Sequence, residues 1–198
     1  FDTVELAASD ATFPRGALPG GTGTGTVTID NFSTVTATTV LVDVWLSTDT
    51  TLSPGTDIRI GTATVASVPQ GQQAVPVSFA VPASAAAADY NLLARVDANE
   101  RYREQIEANN VGEAATQFAT AYEVSGTGCR VTNPQGVNPG QTLTFEVDVA
   151  NGGVPYSGPL AVQLLASADD SFGNDTALGT VTLNMTGAAT QTLQGAFT

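Results

Sequence analysis

The sequence predicts an all-β protein that folds as antiparallel β-sandwiches. The first observation is that apolar and polar residues alternate over short segments, which is the period of a strand with one buried face. The second is that Gly, Pro, Asn and Asp bound these segments, as they do in turns between strands. The third is that the order of these residues recurs once along the 198-residue chain. Strands at this spacing are typical of a sandwich of the immunoglobulin type.

Four segments of the first half carry the alternation: TVTIDNF, TVLVDVWLS, AVPVSFAVP and YNLLARVDA. The residues that we expect to face the core are Val27, Ile29, Val40, Val42, Val44, Leu46, Val75, Val77, Phe79, Val81, Leu92, Ala94 and Val96. Pro76 lies inside the third segment and predicts a strand that is bulged or at a sheet edge. The segment PASAAAA predicts no more than one short turn.

The second half of the chain repeats the pattern of the first. LPGGTGTGTVTIDN, which ends at Asn31, corresponds to NPGQTLTFEVDVAN, which ends at Asn151. The other equivalent pairs are Pro19 and Pro139, Gly20 and Gly140, Asp49 and Asp169, Asp57 and Asp175, Gly61 and Gly179, and Phe79 and Phe197. We therefore expect two tandem immunoglobulin-like antiparallel β-sandwich domains, residues 1–121 and 122–198.

The second repeat ends early. Its last residues, LQGAFT, correspond to VSFAV in the first, and nothing after them matches the block from Asp89 to Phe118. Because we expect that block to supply the last two strands of the first domain, the second domain should lack its last strands and expose an unpaired edge. Three explanations stay open: a shortened chain, further residues that complete the domain, or strands donated by a neighbouring chain.

Composition excludes several classes of protein. A net charge of −13, with no Lys and six Arg, disfavours nucleic acid and anionic membrane surfaces as partners. The absence of His excludes the Ser-His-Asp triad and His-ligated zinc. No run approaches the roughly 20 apolar residues that a membrane-spanning helix needs. The single cysteine, Cys129, is expected to be a small buried apolar side chain, or else to form a disulfide with another chain.

The motifs of the first domain resemble the CARDB module, the cell-adhesion-related domain found in bacteria. The resemblance rests on WLSTDTTLSPGTDIRIGTATV and DYNLLARVDANERYREQIEANN, and covers most of residues 1–121. The positions that match the end of the family pattern are Asp97, Glu104, Glu107, Asn109 and Asn110. The departures are Thr56-Asp57 in place of a common Gly-Asp, and the more charged ERYREQI. The resemblance implies tandem immunoglobulin-like sandwiches in secreted or surface-attached prokaryotic proteins, with an adhesive or architectural role and no catalytic residues.

The segment ARVDANERYREQIEANN, residues 94–110, concentrates charge. Paired carboxylates at Glu104 and Glu107 could in principle serve in glycoside hydrolysis. We expect them to point to opposite faces of an extended hairpin, near Arg101 and Arg103, which would keep both ionised. We therefore predict no catalytic residues, and we expect EANN to lock a corner of the sandwich through its Asn side chains.

Two loops carry the oxygen ligands that Ca²⁺ prefers. The candidate metal ligands are Asp49 and Asp57 in STDTTLSPGTD, and Asp169, Asp170, Asn174 and Asp175 in SADDSFGNDT. The alternative is that these side chains accept hydrogen bonds from the backbone of their own loops. We expect no required cofactor, and calcium is the metal that these loops leave open.

Together these observations predict a non-enzymatic, extracellular or cell-surface protein of a prokaryote with a structural or adhesive role. It would be a segment of a surface adhesin or stalk, or a subunit of an extracellular filament that assembles through β-strand edges. Its partner would be a protein, either another copy or neighbouring domains. The alternative is an accessory, non-catalytic module of a larger secreted enzyme, or a glycan-binding module. Glycan binding needs aromatic residues on one exposed face, and the candidates are Trp45, Tyr90, Tyr102, Tyr122 and Tyr156.

Overall fold

The computed structural model describes residues 3–133, 135, 137–169 and 171–198. The chain forms two compact units, Phe1–Ala121 and Tyr122–Thr198. The predicted all-β antiparallel fold is confirmed, because the named elements of the described residues are β-strands apart from one turn of 3-10 helix. No helix among these residues has the length and apolar character needed to cross a membrane.

The described residues of the first unit form eight strands and the 3-10 turn. They are β1 Leu6–Thr12, β2 Thr22–Asn31, β3 Ala37–Ser47, β4 Ile58–Val68, β5 Gly71–Ala80, β6 Asp89–Val96, the 3-10 turn Glu107–Asn110, β7 Val111–Glu113 and β8 Phe118–Ala119. The strand order is β1-β2-β5-β4-β3-β6-β7, with β8 paired to β6. Only one residue pair, Gly61 with Phe79, joins β4 to β5. The sheet therefore folds at this point into two layers, β1-β2-β5 and β4-β3-β6-β7.

The alternation in the sequence predicts the core of the first unit correctly. Each of the thirteen residues expected to face inward is less than 9% exposed, and all thirteen belong to one cluster. β6 departs from a half-buried strand, because Leu93 on its other face, and Asp97 directly after its end, are also only 1% exposed. The outer face of β6 is therefore buried at Leu93, while Asn91 and Arg95 on the same face stay partly exposed.

Pro76 occupies the kind of position that its missing N–H predicts. β5 pairs with β2 along its whole length, where Pro76 lies opposite Thr26, but with β4 at one residue pair only. The side of β5 that faces away from β2 therefore needs few ladder hydrogen bonds. The predicted turn in PASAAAA is also present, with Ala85 N–H donating to Pro82 O at 3.0 Å.

The described residues of the second unit form five strands. They are β9 Val124–Val131, β10 Leu143–Asn151, β11 Ser157–Ala166, β12 Thr176–Thr186 and β13 Thr190–Phe197. One sheet has the order β13-β10-β9 and the other pairs β11 with β12. The pairing repeats β5-β2-β1 and β3-β4 of the first unit. Among residues 122–198, as far as they are described, no element corresponds to β6, the 3-10 turn, β7 or β8.

The irregularities of the strands recur at equivalent places in the two units. The pairing of β3 with β4 skips Ile60, and the pairing of β11 with β12 skips Leu178. The pairing of β1 with β2 skips Ser9, and that of β9 with β10 skips Thr127. β-Bulges bend a strand and fix its register. The two units therefore share strand order and the positions of two bulges.

Turn residues recur in the same way. Gly20 and Gly140 both have a positive φ, 83° and 84°, which glycine adopts without steric cost. Asn31 and Asn151 end β2 and β10, and both are buried. Asn31 donates to the carbonyls of the loop that follows and of Val68, both at 2.9 Å. When the side-chain amide of Asn151 is oriented so that its nitrogen and its oxygen both find partners, it likewise forms hydrogen bonds with the backbone of the loop that follows it.

Candidate functional site

The charged segment 94–110 forms a corner of the first unit that is held by hydrogen bonds. Asp97 is 1% exposed, and its carboxylate accepts the backbone N–H groups of Arg101 at 3.2 Å and Tyr102 at 2.8 Å. It adopts a positive φ of 47°, which Asp tolerates better than most residues. The Tyr102 hydroxyl accepts from Thr38 N–H at 2.7 Å and donates to Thr38 O at 2.8 Å. The hairpin that leaves β6 is thus tied to β3.

Glu104 connects this corner to the start of the chain. Its Oε2 accepts the N–H of Leu6 at 2.6 Å, and its Oε1 accepts Asn110 Nδ2 at 3.4 Å. Glu104 as a whole is only 8% exposed to solvent. Burial raises the pKa of Glu104 to about 7, with the negative charges of Asp97 and Glu5 adding to the effect. Glu104 is therefore a structural carboxyl that is poised to titrate near neutrality.

The prediction that Glu104 and Glu107 splay apart is wrong. The 3-10 turn, rather than an extended hairpin, brings them together: Glu104 N–H donates to Glu107 Oε1 at 3.0 Å, and Asn110 Nδ2 reaches Glu107 Oε2 at 3.3 Å. The expectation that arginines keep Glu104 ionised is also wrong, since desolvation dominates its pKa.

The predicted role of EANN in locking the corner is confirmed by these bonds and by Asn109, whose Nδ2 donates to Glu5 Oε1 at 3.2 Å.

A shallow cleft beside the corner is lined by Arg95, Glu100, Tyr102, Arg103, Glu107 and Asn110. Glu104 does not line it, and both of its oxygens accept internal donors. A raised pKa is typical of a general acid, but that role also needs access to substrate. The geometry of Glu104 suits a structural residue that holds the corner to β1 through hydrogen bonds.

The first acidic loop uses its candidate metal ligands to hold its own backbone. Asp49 Oδ1 accepts Thr51 N–H at 2.8 Å, and Asp57 Oδ2 accepts Ser53 N–H at 2.6 Å. These are the turn bonds that Asp side chains commonly make. Each carboxylate keeps a second oxygen, so these bonds do not by themselves test calcium binding at this loop.

The second acidic loop repeats this pattern. Asp169 Oδ1 accepts Ser171 N–H at 2.8 Å, and Asp175 Oδ2 accepts Gly173 N–H at 3.1 Å. Asn174 is exposed, and the candidate ligand Asp170 lies outside the described residues. Across the described part of the chain, no three acidic or thiol side chains gather closely enough to hold a metal ion.

The aromatic candidates for glycan binding are spread over both units: Trp45, Tyr90, Tyr102, Tyr122 and Tyr156. Tyr90 is buried in the first core. Trp45 is half-buried, with the Arg59 guanidinium 5.8 Å from its ring centroid. In the second unit, Tyr122 and Tyr156 meet edge to face at 5.2 Å.

An open groove of about 550 Å³ lies in the second unit between β9 and β11. Its walls are residues 126–129 of β9 and 162–165 of β11, together with Val147. β11 pairs with β12 on one side, and its other edge has no strand partner among the described residues. Sequence analysis predicted an unpaired edge, but not the groove that it borders.

Cys129 lies on the wall of this groove and is exposed. The expectation that Cys129 is a buried apolar side chain is therefore wrong. Its counterpart in the first unit is Ala11, two residues past the equivalent bulge, which is 4% exposed. β1, which carries Ala11, packs against β6 and β7, and the second unit has no such strands among its described residues. The sequence around Cys129 could not show that the strands which bury Ala11 have no counterpart beside Cys129.

Comparisons with family models and with curated proteins found no match. Among solved structures, the chain is similar to the CARDB domain of a Pyrococcus furiosus protein in complex with di-metal ions. The identity is 19% over 60% of this chain and 96% of that one, with a TM-score of 0.42. It is also similar to one domain of a Methanosarcina acetivorans protein that is provisionally called a cell surface protein. There the identity is 24%, over 60% and 93% of the chains, with a TM-score of 0.45.

A third similar structure is the sporulation control protein Spo0M from Bacillus subtilis. Its identity to this chain is 11%, over 77% of this chain and 69% of that one, with a TM-score of 0.34. The first of these three structures is a CARDB domain, the module that the motifs of the first unit resemble.

Proposed function

We propose that the chain is a non-enzymatic structural or adhesive part of a prokaryotic extracellular or cell-surface protein. Its second unit joins another polypeptide through the free edge of β11. In this role the chain is a segment of an adhesin or stalk, or a subunit of a filament. The resemblance of its motifs to the CARDB module supports a location outside the cell.

The observation that carries the proposal is the state of β11. In the first unit the equivalent strand, β3, pairs on both sides, with β4 and with β6. Among the described residues, the other edge of β11 has no strand partner, and it lies beside a groove with mostly apolar walls. Natural proteins normally cover or blunt such an edge, because it is a template for pairing with another chain.

The use of the charged residues also supports a non-enzymatic role. The acids of the corner accept hydrogen bonds from backbone and amide groups of the same unit. Two other acids, Asp43 and Asp148, pair with Arg59 and Arg130. These interactions hold strands and loops together.

We further propose that the two units are copies of one CARDB-like module, residues 1–121 and 122–198, of which the second lacks its last strands in this chain. The shared bulges at Ser9 and Thr127, and at Ile60 and Leu178, support this proposal. The paired glycines with positive φ support it as well.

The proposal is tested on native material from the source cells. Fractionation of intact cells should place the protein at the surface or in the medium. Size-exclusion chromatography and electron microscopy should show assemblies of more than one polypeptide chain. A native product that is cytosolic, or that is strictly monomeric, would contradict the proposed role.

A further inference from the structure

The first strand of the first unit is held on its two edges in different ways. One edge of β1 pairs with β2. The other edge lies beside the 3-10 turn and β7, so closely that a Cβ on Gly112 would lie 2.7 Å from Ala8 O. Among the described residues, no strand pairing crosses this seam between β1 and residues 107–113. The seam therefore depends on packing and on side-chain hydrogen bonds.

Two carboxylates close the seam from opposite sides. Glu104 Oε2 accepts the N–H of Leu6 at 2.6 Å, and Glu5 Oε2 accepts the N–H of Gln105 at 2.8 Å. Asn109 Nδ2 adds a bond to Glu5 Oε1 at 3.2 Å. The Leu6 side chain behind these contacts is fully buried in the core. The bonds thus hold the start of β1 in the position where its apolar residues are covered.

The surroundings of Glu104 contain many acceptors and few donors. They form a corner cluster that consists of Glu5, Asp97, Glu104, Glu107, Asn109 and Asn110. Asn110 Nδ2 is shared between Glu104 Oε1 at 3.4 Å and Glu107 Oε2 at 3.3 Å, both longer than a typical N–H···O bond. The Oδ1 atoms of Asn109 and Asn110 are buried and have no donor among the described residues. A proton on Glu104 Oε1 supplies a further donor and leaves the Oε2 bond to Leu6 intact.

The charges that face Glu104 act in the same direction. The acids are Glu5 from β1, Asp97 directly after β6 and Glu107 from the 3-10 turn. Burial, together with the charges of Asp97 and Glu5, raises the pKa of Glu104 to about 7. The closed corner therefore favours the protonated carboxyl on grounds of both hydrogen bonding and charge.

The arginines of the same hairpin do not neutralise the corner cluster. Arg95 pairs with Glu100 at 2.7 Å, and the Arg101 guanidinium lies 5.8 Å from the ring centroid of Tyr102. Arg103 lines the shallow cleft beside the corner, which the buried carboxyl does not line. Among the described residues, none of these three arginines forms an ion pair with the cluster.

We infer that the corner cluster is a pH-sensitive closure of the seam. With Glu104 protonated it holds the start of β1 against the 3-10 turn, and with Glu104 ionised it releases residues 3–8. An ionised carboxyl gains hydration when the seam opens, whereas a protonated one gains far less. The closed seam binds the proton more tightly than the open one, so opening becomes easier as the pH rises from 4.5 through about 7. The inference concerns the first unit alone and does not depend on the proposed function.

Hydrogen exchange of the full 198-residue chain, corrected for the intrinsic exchange rate, measures this opening. Between about pH 5.5 and 8, the protection of residues 4–8 and 104–111 should fall about tenfold more in the wild type than in Glu104→Gln. The Gln side chain keeps a carbonyl for Leu6 N–H, adds a donor and does not titrate. Glu113→Gln, at an exposed position of β7, should follow the wild type. The same pH dependence in the wild type and Glu104→Gln would overturn the inference.

Low concentrations of urea separate release of the seam from unfolding of the whole unit. Opening of the seam exposes little surface, so the exchange of residues 4–8 and 104–111 should not respond to urea, whereas that of β3 should rise. If the seam and β3 respond identically to pH and to urea, the seam opens only by global unfolding and the inference is wrong. The wild type alone decides this point, so the result does not depend on the folding of a variant.

Discussion

Glu104 is the residue whose behaviour differs most from what its sequence neighbours indicate. Three arginines lie within nine positions of it, yet its contacts are Leu6 N–H, an amide of Asn110 and the acids around them. The partner that defines its environment is 98 residues away in sequence. No local pattern predicts such a contact. The presence of acids and an Asn pair at family-like spacing could be predicted, but their convergence around one buried carboxyl could not.

Titration of Glu104 should make the first unit less stable as the pH rises. Its pKa in the folded chain, about 7, lies above its usual 4.5, so folding favours the protonated form. This contribution is complete below pH 4.5 and is lost as the pH rises through about 7. The loss is at most about 3 kcal/mol. Urea unfolding followed by fluorescence of Trp45, the chain's one tryptophan, reports on this unit.

Glu104→Gln removes the titrating group, so the stability of the wild type relative to this variant should fall between pH 4.5 and 7.5. Glu113→Gln, at an exposed position of β7, is the control and should follow the wild type at every pH. Parallel curves for the wild type and Glu104→Gln would show that the folded and unfolded pKa values are the same.

At the scale of elements, the alternating segments predicted both the strands and their inward faces. Val27, Ile29 and the valines of β3 are buried as expected. The prediction succeeds because a period of two fixes which side chains share a face. It fails for Leu93 on the outer face of β6, and for Asp97 directly after the strand, whose carboxylate is buried against the backbone N–H groups of Arg101 and Tyr102. Covering depends on distant segments, which periodicity does not describe.

Close packing of β2 against β5 should make Gly23 intolerant of a side chain. A Cβ at Gly23 would lie 2.6 Å from Cζ of Phe79. Phe79 cannot move aside easily, because its ring contacts Phe13 at 5.9 Å and Phe118 at 5.4 Å between centroids. Gly23→Ala should therefore lower the free energy of unfolding by about 1–3 kcal/mol.

The control is Gly55→Ala in the first acidic loop, where a Cβ would have no neighbour within 4 Å. Its effect should stay within about 0.5 kcal/mol. Both are measured by urea unfolding with Trp45 fluorescence. Equal stability of the two variants would mean that the Phe79 cluster is loosely packed.

The hydrogen bonds within the two acidic loops predict how the melting temperature responds to the removal of calcium. Asp49, Asp57, Asp169 and Asp175 each accept a backbone N–H of their own loop. Since these bonds hold the turns without an ion, the melting temperature should be the same in excess calcium and in excess chelator. A rise with calcium that is lost in the Asp169→Asn variant would instead establish the second loop as a metal site.

At the scale of the whole molecule, the repeat in the sequence predicted a second copy that ends after the strand equivalent to β5. The described part of residues 122–198 forms five strands, β9 to β13. The sequence could show which segment has no counterpart, but the consequences of its absence depend on tertiary packing. Those consequences are the free edge of β11, the groove beside it and the exposure of Cys129.

The reactivity of Cys129 in native assemblies tests most directly whether another polypeptide segment fills this groove. The isolated chain and the native material are labelled with the same maleimide, with denatured protein as the reference for full reaction. We predict rapid labelling of the isolated chain and labelling that is about tenfold slower in native assemblies, because the added strand covers the thiol. Equal rates in the two samples would contradict the central claim that the second unit is completed through its β11 edge.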